Sequence, residues 1–323
     1  MSRLPRPRRL RLAGATAACM LALAACGTLT TDRADTQDDK RLPTQPPLTT
    51  TAEDWQDVAA VLGRTGTLSD HSVYRIPLPR TDLTVTSHHV VVSPGLALTG
   101  SASFARYHDG TMLMGDLVIT ERELPEVTDA LQKAGIAQTA LHKHLLTQHP
   151  AVWWTHIHAM GNPVTLAKGV KAALDTTGIP PASPPPASQQ PLALDTADID
   201  AALGTKGTAD GGIYRFIFAR TQPVTDGRHI LPHTLGIATA IGFQPLGDNR
   251  AAINGDFVLT ADETQNVIRA LRSGGIDLVE LHNHGQDEQP RLFYLHFWAT
   301  GDGVTLASAL RPALDRTAVA PAS

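Results

Sequence analysis

The chain of 323 residues contains an internal repeat. Residues 115–175 align without a gap with residues 255–315, and 24 of the 61 aligned positions are identical, where chance gives roughly four. The similarity continues upstream, where Tyr74-Arg75 matches Tyr214-Arg215. A repeat of about 120 residues is long enough to be a domain, so we expect two copies of one domain.

Both repeats show the same order of predicted elements. A short helix is followed by a strand, by β segments rich in Gly and Pro, by a strand containing Gly-Asp, and by a helix, a β-hairpin and a last helix. Thr120 and Thr260 predict the N-caps of the middle helices, with Glu123 and Glu263 completing capping boxes. We therefore predict an α+β fold in which each repeat is a mainly antiparallel sheet with two main helices, and the two repeats pack as a pseudo-dimer.

The boundaries of the predicted domains follow from composition. Residues 27–51 are rich in Thr, Asp and Pro and predict a flexible tether after an N-terminal signal, and residues 178–194 predict an extended Pro-rich linker. The repeat domains then occupy residues 52–177 and 195–317.

The N-terminus is typical of an export signal. An arginine-rich start precedes the apolar run 12–25, which is too short to span a bilayer comfortably. The run ends in Leu23-Ala24-Ala25-Cys26, which resembles the lipobox of bacterial lipoproteins. This resemblance implies a signal peptide at residues 1–26, with Cys26 lipidated, and hence an extracytoplasmic protein anchored to the bacterial membrane by lipid. Ordinary secretory cleavage beside a chance cysteine is the alternative.

Charge and cysteine usage exclude several functions. Without the five arginines of the first 25 residues, 22 basic side chains face 31 acidic ones, a net charge of −9. Such a chain is a poor partner for nucleic acid. Because the two cysteines are Cys19 and Cys26, the body can contain no disulfide, cysteine-bound zinc or thiol nucleophile. The sequence also has no Walker or dinucleotide-binding glycine motif, no G-x-S-x-G and no H-E-x-x-H.

Three histidines are shared by the two repeats. Each repeat has a His-x-His at the end of a predicted strand and one further histidine on the returning strand of the hairpin. They are His142, His144 and His156 in repeat 1, and His282, His284 and His296 in repeat 2. Each trio could converge at one end of its sheet and ligate a transition metal such as zinc or copper with an open position.

Nearby acidic side chains are candidates for a further ligand or a general base. They are Asp116 and Asp256, which follow a shared glycine, and Glu288 in the turn of repeat 2. Lys143 replaces the middle asparagine of repeat 1, so we expect repeat 2 to keep the better metal site. The histidines could instead be half-buried hydrogen-bonding groups of the fold, or act in acid–base catalysis without metal.

Several repeated strings resemble the LppY/LpqO family of bacterial lipoproteins. In repeat 2 they are Gly255–Leu259, Leu281–His284, Pro290–Trp298 and Gly301-Asp302, and in repeat 1 they are Met114–Ile119, Ala140–Leu146 and His156. The resemblance spans nearly the whole body and agrees with the lipobox. It implies a location and a two-copy architecture, but no reaction, because the biochemical function of the family is unknown.

Together these features predict an envelope lipoprotein that binds a divalent metal through histidines, with metal-dependent hydrolysis as a possible reaction. The alternative is a non-catalytic lipoprotein that binds a small molecule or another envelope protein, with structural histidines. The two differ in a measurable way, because a metal site requires imidazole nitrogens within about 2.0–2.2 Å of one point.

Overall fold

The computed structural model describes residues 43–182 and 192–322. The predicted signal peptide, Cys26, most of the tether and the Pro-Pro-Pro run of the linker lie outside these residues. Among the described residues, no helix is both long enough and apolar enough to cross a bilayer.

The helices of the two repeats occur at equivalent positions. Two short 3-10 turns, Glu53–Trp55 and His233–Leu235, accompany seven α-helices in the described ranges. The α-helices are α1 (Gln56–Leu62), α2 (Pro94–Ala97), α3 (Leu124–Lys133), α4 (Pro163–Leu174), α5 (Thr196–Leu203), α6 (Ala261–Ser273) and α7 (Gly303–Leu314).

The strands also repeat. Those of repeat 1 are β1 (Thr67–Ser69), β2 (Val73–Pro79), β3 (Val85–Ser87), β4 (Val90–Val92), β5 (Thr99–Tyr107), β6 (Gly110–Thr120), β7 (Ala137–His142) and β8 (Val152–Gly161). Those of repeat 2 are β9 (Thr208–Asp210), β10 (Ile213–Arg220), β11 (Val224–Asp226), β12 (His229–Leu231), β13 (Ala238–Gly247), β14 (Arg250–Leu259), β15 (Asp277–His282), β16 (Glu288–Gln289), β17 (Phe293–Asp302) and β18 (Val319–Pro321).

Each repeat builds one main antiparallel sheet. The strand order is β1-β2-β5-β6-β8-β7 in repeat 1 and β15-β17-β14-β13-β10-β18 in repeat 2, where β9 also pairs with β10. The hairpins β3-β4 and β11-β12 stand apart from these sheets. The predicted α+β architecture with two homologous repeats is therefore confirmed.

Alternation along the strands divides each sheet into two faces. On β6, Leu113, Leu117 and Ile119 pack against the helices of repeat 1, whereas the side chains between them point the other way. The same alternation on β14 and β17 builds the helix–sheet core of repeat 2. The second faces of the two sheets meet between the repeats, so the order of layers is helices, sheet, sheet, helices.

The repeats exchange short arms across this interface. Leu96 of α2 packs with Ile213 and Trp298 of repeat 2. In the reverse direction, Leu231 and Leu235 of repeat 2 pack against the sheet of repeat 1. Each repeat therefore covers part of the other repeat's inner sheet face, and burial of this apolar surface holds the pseudo-dimer together.

One helix start differs from its prediction. The capping box is present in repeat 2, where Glu263 accepts a 2.7 Å hydrogen bond from the Thr260 amide. In repeat 1 the helix begins at Leu124, so Thr120 is not its N-cap, and the prediction of that N-cap was wrong. The reason is Pro125, whose fixed φ and missing N–H favour the first turn of a helix.

Candidate metal centre

Two of the six shared histidines lie in the middle of the inner sheet faces. His156 on β8 is directly opposite Asp116 on β6, and His296 on β17 is directly opposite Asp256 on β14. Because residues in register on neighbouring strands point to the same face, each pair places an imidazole beside a carboxylate at the interface.

The other four histidines come from the edge strands. His142 and His282 end β7 and β15, and His144 and His284 lie two residues further along. Both edge strands break register with their neighbour, between Gln138 and Ala140 and at the equivalent place in repeat 2. These irregularities change the direction of the strand end, as bulges do.

The sequence predicted one trio in each repeat, whereas the structure brings all six imidazoles into one cluster across the interface. The His142 and His282 rings stack at 3.7 Å between centroids. His144 lies 3.7 Å from His296, and His156 lies 3.7 Å from His284. The equal distances reflect the pseudo-two-fold relation of the repeats, so the six imidazoles form one cluster that belongs to both repeats and not the two separate trios that the sequence predicts.

Two groups of three histidines are close enough to share an ion. One is His142, His156 and His282, and the other is His142, His144 and His296; within each group the ligand nitrogens lie within 4.8 Å of one another. Nitrogens bound to one zinc ion are at most about 4.2 Å apart, given Zn–N bonds of about 2.0–2.1 Å, so nitrogens at the 4.8 Å limit would have to move closer together to bind one ion. Each group draws on both repeats, so neither repeat could form these groups alone.

Many ring nitrogens of the cluster have no hydrogen-bond partner among the described residues. These buried atoms are Nδ1 of His142, both nitrogens of His282, and Nε2 of His156, His284 and His296. The Nδ1 of His296 is 3.1 Å from the Gly255 carbonyl oxygen. That contact favours a proton on Nδ1 and leaves the Nε2 lone pair available, which is how proteins orient metal-binding histidines.

The shared Gly-Asp motif is required by close packing of the strands. A Cβ on Gly255 would lie 2.0 Å from the Ala240 carbonyl oxygen, and a Cβ on Gly115 would lie 2.5 Å from that of Ser101. Only glycine fits at such an approach. The glycines thus place Asp116 and Asp256 beside the histidines.

Burial controls the charge of the cluster. It lowers the pKa of all six histidines, to about 3 for His156 and about 4 for His296. In all except His296, the positive charge that neighbouring imidazoles would carry lowers the pKa further. The imidazoles are therefore neutral at neutral pH, the form that binds metals.

The two aspartates have the opposite shift. Burial raises the pKa of Asp116 to about 7, with a further contribution from the negative charge of Asp256. Burial also raises the pKa of Asp256 to about 7, against the lowering effect of its backbone hydrogen bonds. Carboxyl groups that gain and lose a proton near neutral pH suit acid–base chemistry.

A cavity of about 640 Å³ lies between the repeats and reaches the cluster. His144, His156 and His284 line it together with Asp116 and Asp256. This volume is in the usual range for small-molecule sites. The arrangement could therefore hold a metal and present it to a small molecule.

Glu288 is a predicted carboxylate that lies elsewhere. It lines a separate cavity of about 50 Å³ with His158 and Asp226, whose Nε2 and Oδ2 atoms lie 2.8 Å apart. Its Oε1 accepts a 2.6 Å hydrogen bond from the Gly285 amide. The structure thus brings Asp116 and Asp256 to the six histidines, but not Glu288. Lys143 also points away from the cluster, with its ammonium 4.5 Å from the centroid of the Trp153 ring.

Sequence reasoning missed residues that position or surround the cluster. The Asn254 amide donates hydrogen bonds to the His144 carbonyl at 2.7 Å, across the interface, and to the Phe297 carbonyl at 3.0 Å. Arg75 and Arg215 line the cavity. The match of Tyr74-Arg75 with Tyr214-Arg215 was a usable signal for the arginines, whereas Asn254 is matched by Met114 and gave none.

Comparison with known proteins identifies a family but no activity. The family model described as Domain of Unknown Function (DUF1259) matches residues 56–176 and 197–316. The match covers well over half of the chain, once per repeat, and the chain belongs to this family. No curated protein matches the sequence.

Three solved structures show weak similarity. The trimeric bacterial microcompartment shell protein PduB is 14% identical, with a TM-score of 0.20, over 79% of this chain and 91% of that chain. EtuB from Clostridium kluyveri is 10% identical, with a TM-score of 0.20, over 81% and 96%. The double-ringed trimeric shell protein MSM0271 from the RMM microcompartment is 13% identical, with a TM-score of 0.16, over 63% and 81%. At such TM-scores these similarities carry no argument.

Proposed function

We propose that this member of the DUF1259 family binds a divalent transition metal, zinc or copper, in the six-histidine cluster, and that the metal serves a hydrolytic reaction in the adjoining cavity. The observation that carries the proposal is the set of buried imidazole nitrogens without a hydrogen-bond partner among the described residues. A buried polar atom without a partner costs about 1–3 kcal/mol. A bound metal would offset this cost at several nitrogens at once.

The donor set supports zinc or copper over harder cations. Six imidazoles and two carboxylates surround the site, and the described residues contain no cysteine. Magnesium and calcium prefer oxygen ligands, whereas imidazole suits zinc and copper. The pairing of the His296 Nδ1 with a backbone carbonyl supports the same assignment, because it directs the other nitrogen to a ligand.

The hydrolytic part of the proposal rests on the cavity and the two aspartates. A divalent metal at this position would lower the pKa of a bound water. Asp116 lies 3.8 Å from His144 between its Oδ2 and the imidazole Nε2, at the inner wall of the cavity. With its pKa raised to about 7 by burial and by Asp256, it is suited to accept a proton there and to release it again.

The location is a further part of the proposal. The arginine-rich start, the short apolar run and the Leu-Ala-Ala-Cys sequence support lipidation at Cys26 and anchoring outside the cytoplasm. On this basis the protein is a bacterial envelope lipoprotein of the LppY/LpqO type.

Metal content of the full chain, purified without a histidine tag, tests the central claim. We expect near-stoichiometric zinc or copper, lost in the double variant His142→Ala/His282→Ala, which removes a member of both ligand groups. The matched control is His108→Ala, because His108 is exposed in the turn between β5 and β6. A panel of ester and phosphate-ester substrates, with and without chelator, then tests hydrolysis.

The opposite result favours the alternative function. If the chain holds no metal and zinc or copper leaves its Tm unchanged, the metal proposal is wrong. A double variant that is only destabilised would show that the histidines are structural. The protein would then be a non-catalytic lipoprotein that binds a small molecule or another envelope protein. The search for a ligand should begin with molecules that fit the cavity between the repeats.

A further inference from the structure

Two arginines related by the repeat line the same cavity. Arg75 on β2 and Arg215 on β10 both line the cavity. On each strand the flanking residues pack into the helix–sheet core: Tyr74 and Ile76 beside Arg75, and Tyr214 and Phe216 beside Arg215. Alternation therefore directs both guanidinium groups to the interface.

The sheet register places each arginine on the same sheet face as the histidine cluster, in the row of side chains next to the Asp–His pair. In repeat 1, Arg75 pairs with Ser103, Ser101 pairs with Asp116, and Asp116 pairs with His156. Strands lie about 4.8 Å apart, so β2 and β6 are about 10 Å apart across the sheet. One wall of the cavity thus presents a cation, two hydroxyl groups, a carboxyl group and an imidazole, in that order.

Neither guanidinium is neutralised by an ion pair within the described part of the chain. Arg75 has no side-chain hydrogen bond there, and Arg215 donates one, to the Gly95 carbonyl. Asp210 also lines the cavity and raises the pKa of both arginines, but it forms no ion pair with either. Lys206, at an exposed position on the cavity wall, adds a third positive charge.

The two guanidinium groups also act on each other. Partial desolvation at the cavity wall lowers the pKa of Arg75, although its side chain is exposed, and the positive charge of Arg215 lowers it further. Two like charges facing one cavity repel each other, and an anion between them removes this repulsion while accepting their N–H groups. Guanidinium is the side chain best matched in shape to carboxylate and phosphate.

We propose that the inter-repeat cavity binds a small molecule bearing two negative charges, either a phosphate ester or a dicarboxylate, through Arg75 and Arg215. The binding is a property of the arginines, and it rests on the proposed function only for what happens to the bound molecule, because the histidine cluster lines the same cavity. Ser101 and Ser103, buried residues of the cavity wall, would hydrogen-bond its polar groups.

Calorimetric titration of the full chain, freed of metal with a chelator and then dialysed, tests this site. The probes are inorganic phosphate and succinate, with glycerol as the uncharged control. We expect one of the two anions to bind and glycerol not to bind. Arg75→Gln and Arg215→Gln should each weaken binding by about tenfold or more. Arg75→Lys, which keeps the charge but loses the planar fork, should weaken it less.

Arg106→Gln is the matched control, since Arg106 also lies on a repeat 1 strand but pairs with Asp54 outside the cavity. Binding of phosphate alone identifies a phosphate ester, and binding of succinate alone identifies a dicarboxylate. The proposal is overturned if neither anion binds, or if folded Arg75→Lys and Arg215→Gln proteins bind as tightly as the wild type. Since the titration uses metal-free protein, anion binding without metal binding would refute only the metal centre, and the reverse would refute only this site.

Discussion

The helix–sheet cores and the interface between the repeats use their shared residues differently. Each core is complete within its own repeat, as the separate clusters around Leu117 and Phe257 show. The histidine cluster is complete in neither repeat, because both candidate metal groups take ligands from the two sides. A residue present in both repeats can therefore serve either the fold of one repeat or a site that exists only when the two are joined.

The Arg–Glu pairs are the clearest within-repeat case. Arg80 bonds to Glu123 at 2.8 Å, and Arg220 bonds to Glu263 at the same distance. Each glutamate also accepts the backbone amide of a residue just after the last helix of its repeat, at 2.7 Å. These pairs join a strand, the start of a helix and the end of the repeat, and they do not reach the interface cavity.

The largest expected effect distinguishes one shared metal site from two separate ones. His142→Ala and His282→Ala change equivalent positions. In a shared cluster, His142→Ala should remove nearly all bound metal at micromolar zinc, because His142 belongs to both candidate ligand groups, each of which spans the repeats. Metal analysis of the two purified variants gives the answer. Loss of half the metal in each variant would indicate two independent sites and contradict the shared cluster.

Much of the fold could be predicted because it depends on local patterns. The alternation along β8 and β17 assigns His156 and His296 to the face opposite the core, and the glycines after the middle helices, Gly135 and Gly275, take the positive φ of a C-cap at 69° and 74°. Such features need only neighbouring residues, so they are visible in sequence.

The relation between the repeats could not be predicted in the same way. A constant offset shows that two units are alike, but it carries no information on which faces meet. The exchange of arms depends on shape, as at Gly242, where a Cβ would lie 3.1 Å from Leu96 of the other repeat. For this reason the merging of two trios into one cluster, and the opposed arginines of the cavity, appear only in three dimensions.

The second expected effect compares the two Arg–Glu pairs. Arg80→Ala leaves Glu123 buried without its partner and should lower the free energy of unfolding by about 3–5 kcal/mol. Arg220→Ala should cost less, because Arg80 also binds Asp82 at 2.8 Å, whereas the Nε of Arg220 is buried without a partner. Urea unfolding of both variants measures the difference.

Two further variants test whether Asp82 explains the difference in stability between the two Arg–Glu pairs. Gln222 occupies the position equivalent to Asp82, so Gln222→Asp should supply the missing partner and raise the stability of repeat 2. Arg106→Ala, which removes a half-exposed ion pair, should cost no more than about 1 kcal/mol. Equal costs for Arg80→Ala and Arg220→Ala would show that Asp82 contributes nothing.

The smallest expected effect concerns Glu288, which stands where repeat 1 has Gln148. Burial raises the pKa of Glu288 above its ordinary value, so the folded chain holds this proton to a higher pH than the unfolded chain does. The stability that depends on it is complete below the unfolded pKa of about 4.3 and declines as the pH rises through the folded pKa. Glu288→Gln removes this decline, because an amide does not ionise.

The Glu288→Gln protein should therefore match the wild type at pH 4 and exceed it slightly at pH 8, by at most about 1 kcal/mol. Gln148 shows that the amide can be accommodated, since its Nε2 donates to the Val152 carbonyl at 2.5 Å. Tm values at the two pH values test this. The reverse change, Gln148→Glu, loses that donor and should destabilise repeat 1 at pH 8. If the Glu288→Gln variant is less stable than the wild type at pH 8, the Glu288 carboxylate has a stabilising partner. The turns at residues 148 and 288 are then not equivalent.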